Sequence, residues 1–250
     1  MIRRCFTMFR GIGPGREQAL RTAGIADWRQ LLAAGELPCL PERLSRALPR
    51  QVERWAAALE AGDAGFFARH LPLRQHWMLF EAFGGAARYL DIETTGLSPR
   101  HADVTMVGLS DGRRYQALVR GQGLGERALA EALRGCKLLV TYFGSQFDVP
   151  FLRHHFPGIG WDVAHFDLCF AARRVGLTGG LKTVERKLGI ARGEAIAEVD
   201  GFEAVRLWRR HQRGDPGALA ILREYNEADT RNLATIAPIV YERLCRAHGA

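Results

Sequence analysis

Along the first 85 residues, apolar positions recur at helical spacing in short runs broken by glycine and proline. They predict helices over 17–22, 26–34, 41–47 and 51–61, with a further piece around Phe66 and Phe67. After Phe83-Gly84-Gly85 the texture changes. Residues 87–93, 104–109, 114–119 and 137–141 read as short strands. Helical spacing returns over 125–134, 146–156, 168–175, 183–188, 201–211 and 218–233. Three strands, a helix, a fourth strand and further helices predict an α/β protein, a mixed sheet flanked by helices. Gly84-Gly85 is the expected boundary between a helical domain over 1–85 and an α/β domain over 86–250.

Composition narrows the setting. With 47% hydrophobic residues among 250, the chain has material for a sizeable core. Cys5, Cys39, Cys136, Cys169 and Cys245 are odd in number and scattered, which argues against a disulfide framework or a zinc site. No apolar stretch approaches membrane-span length and the N-terminus lacks a signal-like apolar core, so a cytoplasmic location without a membrane partner is expected. The formal charge of +8 fits a polyanionic partner. Yet only Lys137, Lys182 and Lys187 among the 35 basic residues are lysine, a skew that codon bias alone could produce.

Three short segments carry candidate chemistry. In Tyr89-Leu90-Asp91-Ile92-Glu93-Thr94-Thr95-Gly96-Leu97, a strand places Asp91 and Glu93 on one face and Leu90 and Ile92 on the other. Two adjacent carboxylates repel unless a cation sits between them, and oxygen ligands suit Mg²⁺ or Mn²⁺. In Phe147-Asp148-Val149-Pro150, proline is best tolerated in a first helical turn, which puts Asp148 near a helix start. In Tyr225-Asn226-Glu227-Ala228-Asp229, Tyr225 and Asp229 share a helix face one turn apart. Each has a plainer reading: a solvated strand end, a carboxylate complementing a helix dipole, a buried tyrosine beside a surface acid.

In their order, these segments resemble the three motifs of the DEDD exonuclease superfamily, in its DEDDy branch. The surroundings, Asp91 to Leu97, Phe147 to Leu152, and Phe166-Asp167-Leu168 before Leu181 to Glu185, look like the YprB-type ribonuclease H-like exonuclease family. The resemblance implies a ribonuclease H-like fold over about 86–240 and two Mg²⁺ or Mn²⁺ ions. It makes Asp91, Glu93, Asp148 and Asp229 the metal ligands and Tyr225 the residue that orients the attacking water. It further implies 3′-to-5′ hydrolysis of single-stranded DNA or RNA, with duplex DNA ends as a further candidate. Thr94 and Leu97 match positions that contact the terminal nucleotides, although Leu97 also suits ordinary packing. Two departures stand out: Phe143-Gly144 replaces the family's usual Asn-Gly, and many members carry histidine in place of Tyr225. Asp167 reads as a helix cap. Two alternatives stay open: a catalytically inactive nucleic-acid-binding scaffold on the same fold, and an endonuclease or oligonucleotidase using the same acids.

In the helical half, Phe9-Arg10-Gly11-Ile12-Gly13-Pro14-Gly15-Arg16 resembles the hairpin of a helix-hairpin-helix motif, whose first helix has little room to form. Its amides, with Arg10, Gly11, Gly13 and Arg16, are candidates for holding a phosphate. A glycine-rich turn that packs Ile12, Leu20, Ile25 and Trp28 is the alternative. Trp55, Phe66, Phe67 and Trp77 could stack on bases, although their helical spacing favours a core.

Overall fold

The computed structural model describes residues 1–249. Five strands, β1 (Ala87–Thr94), β2 (Val104–Ser110), β3 (Tyr115–Val119), β4 (Leu138–Thr141) and β5 (Ala164–Asp167), form one sheet in the order β3-β2-β1-β4-β5. The β1–β2 and β2–β3 pairs are antiparallel, whereas β4 and β5 add in parallel. The motif-bearing strand is therefore central. Strand β5 is an addition to the four expected from sequence; its pairing with β4 defines it.

The N-terminal part contributes α1 (Pro14–Thr22), α2 (Trp28–Ala33), α3 (Glu42–Glu60), α4 (Ala64–His70) and α5 (Phe80–Phe83). Around and after the strands come α6 (Glu126–Ala132), α7 (Asp148–His155), α8 (Leu168–Arg173), α9 (Leu181–Lys187), α10 (Gly201–Gln212) and α11 (Ala218–Ala247). Two of these run on where shorter pieces were expected. Helix α3 is continuous through Pro49, because burial of Leu48, Val52, Trp55 and Leu59 along one face offsets the roughly 3 kcal/mol that an interior proline costs. Helix α11 likewise passes Pro238, with Leu233, Ile236, Ala237, Val240 and Leu244 buried beneath it.

Leu90 and Ile92 pack with Phe151 and Leu152 of α7 and Leu129 of α6. The opposite sheet face is covered by α11. Gly108 of β2, paired in register with Asp91, makes that approach possible: a Cβ there would lie 2.0 Å from Asn226 Oδ1 and 2.5 Å from Thr230 Oγ1.

One apolar cluster runs from Ile2 and Phe6 through Trp28, Trp55 and Phe67 to Leu138, Val140 and Phe166 of the sheet and Leu233 to Leu244 of α11. Packing is thus continuous across the sequence boundary at Gly84-Gly85. Phe9, Trp28, Trp55 and Phe67 interlock edge-on or tilted, with Phe9–Trp55 and Trp55–Phe67 centroids 5.4 and 5.6 Å apart. Trp55, Phe66, Phe67 and Trp77 are all buried, which removes them as base-stacking platforms. The free edge of β5 is covered by the 3₁₀ segment Leu73–Leu79, where the His165 amide donates to His76 Nδ1 at 2.9 Å. Among the described residues, all five cysteines are free and no helix is long and apolar enough to cross a membrane.

Candidate active site

The outer half of β1 delivers the first two acids. Asp91 and Glu93 project towards α11, and the register with β2 shifts between Glu93 and Thr94, an irregularity at the mouth of a cleft of about 820 Å³ beyond which Thr94 still pairs with Val104. Asp148, the first residue of α7, reaches the same place: its Oδ1 accepts the Ile92 amide at 3.1 Å, between the two strand acids. Helix α11 brings Tyr225 and Asp229 from above. All five predicted catalytic residues line this cleft, together with Thr94 and Leu97.

The loop before Asp148 is held by Asp167. Its carboxylate accepts the amides of Phe143 and Ser145 at 2.9 and 3.0 Å, the Ser145 hydroxyl at 2.6 Å, and the Cys169 amide at 3.0 Å. The expected helix cap is therefore also the clasp of the second motif. Phe143, the residue at which the second segment departs from the motif it resembles, has φ = +65°, a region asparagine tolerates better than phenylalanine. Its half-exposed ring lies at the cleft, 5.8 Å from Phe170.

Leu97 is 80% exposed at the cleft mouth, so packing in the core does not account for it. The Thr94 hydroxyl donates to the Gly96 carbonyl at 2.6 Å and shapes the turn that carries Leu97. Arg10, Gly11, Gly13 and Arg16 do not line the cleft. They form a separate hairpin in which Arg16 Nη1 donates to the Gly11 carbonyl at 2.6 Å, and only a 3₁₀ turn, Ile2–Arg4, precedes it.

Four carboxylates converging in a buried floor carry an electrostatic cost. Burial, followed by repulsion from Asp229, Glu93 and Asp148, holds the Asp91 carboxyl well above the ordinary aspartate range. Burial and Asp229 do the same to Glu93. Burial pushes Asp148 up to about 7 and Asp229 up to about 6, the latter opposed by Arg192. The Tyr225 phenol is pushed up by burial and by Asp229, so it stays protonated at neutral pH.

Two further residues answer this charge, and neither was among the sequence-predicted site residues. Asn226 Nδ2 donates to Asp91 Oδ2 at 2.9 Å and Glu93 Oε1 at 3.3 Å, while its Oδ1 accepts the Tyr115 hydroxyl at 2.8 Å. Arg192 forms an ion pair with Asp229 through Nη2, and binds Glu185 through Nε and Nη2 at 2.6 and 2.7 Å. Asn226 adjoins Tyr225 in sequence but carries no signal of its own. Arg192 lies 37 positions from Asp229 and is placed only by the fold.

Mg²⁺ and Mn²⁺ favour hard oxygen donors, and the four carboxylates supply them. Asp229 Oδ1 is buried and lies against Arg192 Nη2 in an ion pair without an aligned hydrogen bond. The donor set fits a divalent cation. In the described conformation, with Asn226 and Arg192 on these acids, no three His, Cys, Asp or Glu side chains among the described residues are grouped closely enough to hold one.

Residues 88–241, more than half of the chain, match the RNase_H_2 family, described as RNase_H superfamily. The chain belongs to the RNase_H superfamily. Its sheet order and flanking helices are an RNase H-like fold, as the sequence led us to expect. No curated protein matches the chain. Among solved structures, it is similar to one described as the apo form of the nuclease, at 24% identity and TM-score 0.49, over 65% of this chain and 75% of that one. It is similar to Brucella melitensis NrnC at 20% identity and TM-score 0.46, over 68% and 78%. It is also similar to the family B DNA polymerase of the archaeon Pyrobaculum calidifontis at 18% identity and TM-score 0.48, over 61% of this chain and 24% of the polymerase.

Proposed function

We propose that this RNase_H superfamily protein is a divalent-metal-dependent 3′-to-5′ exonuclease of the DEDDy, YprB-like type, acting on single-stranded DNA or RNA. The observation that carries the reading is the convergence of Asp91, Glu93, Asp148 and Asp229, from three separate elements, on the floor of one open cleft. So many buried acids suit a phosphodiester only if cations lie between them and it.

Two Mg²⁺ or Mn²⁺ ions would supply activation of water near neutral pH and neutralise charge on the attacking and leaving oxygens. Asp91, Glu93 and Asp229 would hold one, and Asp91 with Asp148 the other. Tyr225, on the face of α11 that carries Asp229, would orient the attacking water by hydrogen bonding. Thr94 and the exposed Leu97 line the cleft mouth and would contact the terminal nucleotides there, and Arg206 and Arg209 line the same cleft.

A second contact with the strand fits the N-terminal region, over 1–85. The hairpin bearing Arg10, Gly11, Gly13 and Arg16 adjoins a groove of α3 lined by Arg43, Arg46 and Arg50 together with Glu42, which is ion-paired with Arg46; Gln51, in that groove, accepts the Arg10 amide at 3.2 Å. The three arginines are exposed and spaced to share one helix face, an arrangement suited to consecutive backbone phosphates.

The test is degradation of end-labelled oligonucleotides with Mn²⁺ or Mg²⁺ by the full chain. Stepwise loss of a 3′ label that stops on addition of EDTA is the expected result. Cleavage of a circular strand would establish an endonuclease instead, and binding without hydrolysis under any divalent ion would establish the scaffold reading.

A further inference from the structure

Arg192 is a deeply embedded cation beside the site that the mechanism above leaves unused. Its side chain is 7% exposed, and its partner Glu185 is 2% exposed. Glu185 takes two of its nitrogens and is itself fixed by Asn232 Nδ2 at 2.9 Å. One of those nitrogens, Nη2, also meets Asp229. Nη1 has no partner and is fully buried, so it cannot reach a substrate in the cleft. The guanidinium carbon lies 5.6 Å from the centre of the Tyr225 ring, and Lys182 Nζ is also 5.6 Å from it. Lys182 in turn donates to the carbonyls of Ala197 (2.9 Å) and Val199, latching the segment that carries Arg192 into α10.

A planar fork anchored on one buried carboxylate and pressed on another fixes the second in direction as well as charge. We propose that Arg192, held by Glu185, is a positioning residue that aims the Asp229 carboxylate at the metal site and so sets its affinity for the divalent ion. This rests on the metal-dependent reading above. Arg192 does not touch substrate; it acts through Asp229 and through the face of Tyr225. Outer partners that orient a ligand typically affect metal affinity by about 10–100-fold.

The test is calorimetric titration of the full chain with Mn²⁺, with circular dichroism as a check on folding. Arg192→Gln should weaken Mn²⁺ binding roughly tenfold or more, and Arg192→Lys, which keeps charge but loses the fork, should fall between it and wild type. Excess Mn²⁺ should restore most of the turnover of Arg192→Gln, a recovery that general loosening would not give. Because Arg192→Gln leaves Glu185 buried without its counter-charge, Glu185→Gln/Arg192→Met removes both charges together and is the variant to use if the single one fails to fold. Wild-type binding with equal or tighter binding by the folded variants would overturn the inference, since Arg192 would then be a bystander or a competitor. A wild-type protein that binds no Mn²⁺ would instead overturn the metal-dependent reading, and this inference with it.

Discussion

Asp148 and Asp229, raised to about 7 and about 6, keep their protons at pH values where the unfolded chain has already lost them. Between the ordinary aspartate value and these raised values the folded state therefore binds more protons, and stability falls as pH rises. The melting temperature of the metal-free protein is expected to be higher at pH 5 than at pH 8, and Mn²⁺ at pH 8 should close most of the gap; a flat profile measured by scanning calorimetry would contradict this. Asp91→Asn should stabilise the metal-free protein by relieving repulsion while lowering the rate by more than about 100-fold, beyond what an outer partner of a metal costs. Tyr225→Phe should slow turnover by up to about 100-fold through loss of water alignment with Mn²⁺ affinity unchanged, which separates its role from that of Arg192. The acids and the tyrosine were picked out in sequence by the order of three short segments and the family they resemble; strand and helix periods fixed only which neighbours within a segment share a face. Asn226 and Arg192 were not, since the site acids they meet come from elements far away along the chain.

At the scale of elements, the site depends on how closely α11 lies on β1 and β2. Gly108→Ala would put a methyl group 2.0 Å from Asn226 Oδ1, so the helix must lift or Asn226 must leave the acids. Destabilisation of about 1–3 kcal/mol is expected, with a larger proportional loss of activity, measurable by denaturant titration alongside the oligonucleotide assay. The strands over 87–119 and the starts of α7 and α10 were readable from pattern, because turn residues and apolar alternation bound them. The lengths of α3 and α11 were not, because prolines at 49 and 238 signal breaks that tertiary burial overrides. Strand β5 escaped for the opposite reason: its four residues are defined by pairing with β4 and by the cover that His76 provides.

For the whole molecule, positive charge and shape set the expectations. If α3 holds backbone phosphates, Arg43→Gln/Arg46→Gln/Arg50→Gln should lower the slope of log affinity against log salt by about 2 for a long single strand. Hydrolysis of a dinucleotide should be unaffected, which filter binding and turnover assays would check separately. The core shared between the N-terminal aromatics and the sheet has its own consequence. A hairpin tethered by a flexible linker would let a bound strand slide through many spans; one built into the same packed interior stands at a set distance from the cutting floor. If the hairpin grips the strand and digestion runs from the 3′ end, the protein would act as a ruler: degradation should pause at one sharp length, the number of nucleotides needed to bridge the two places.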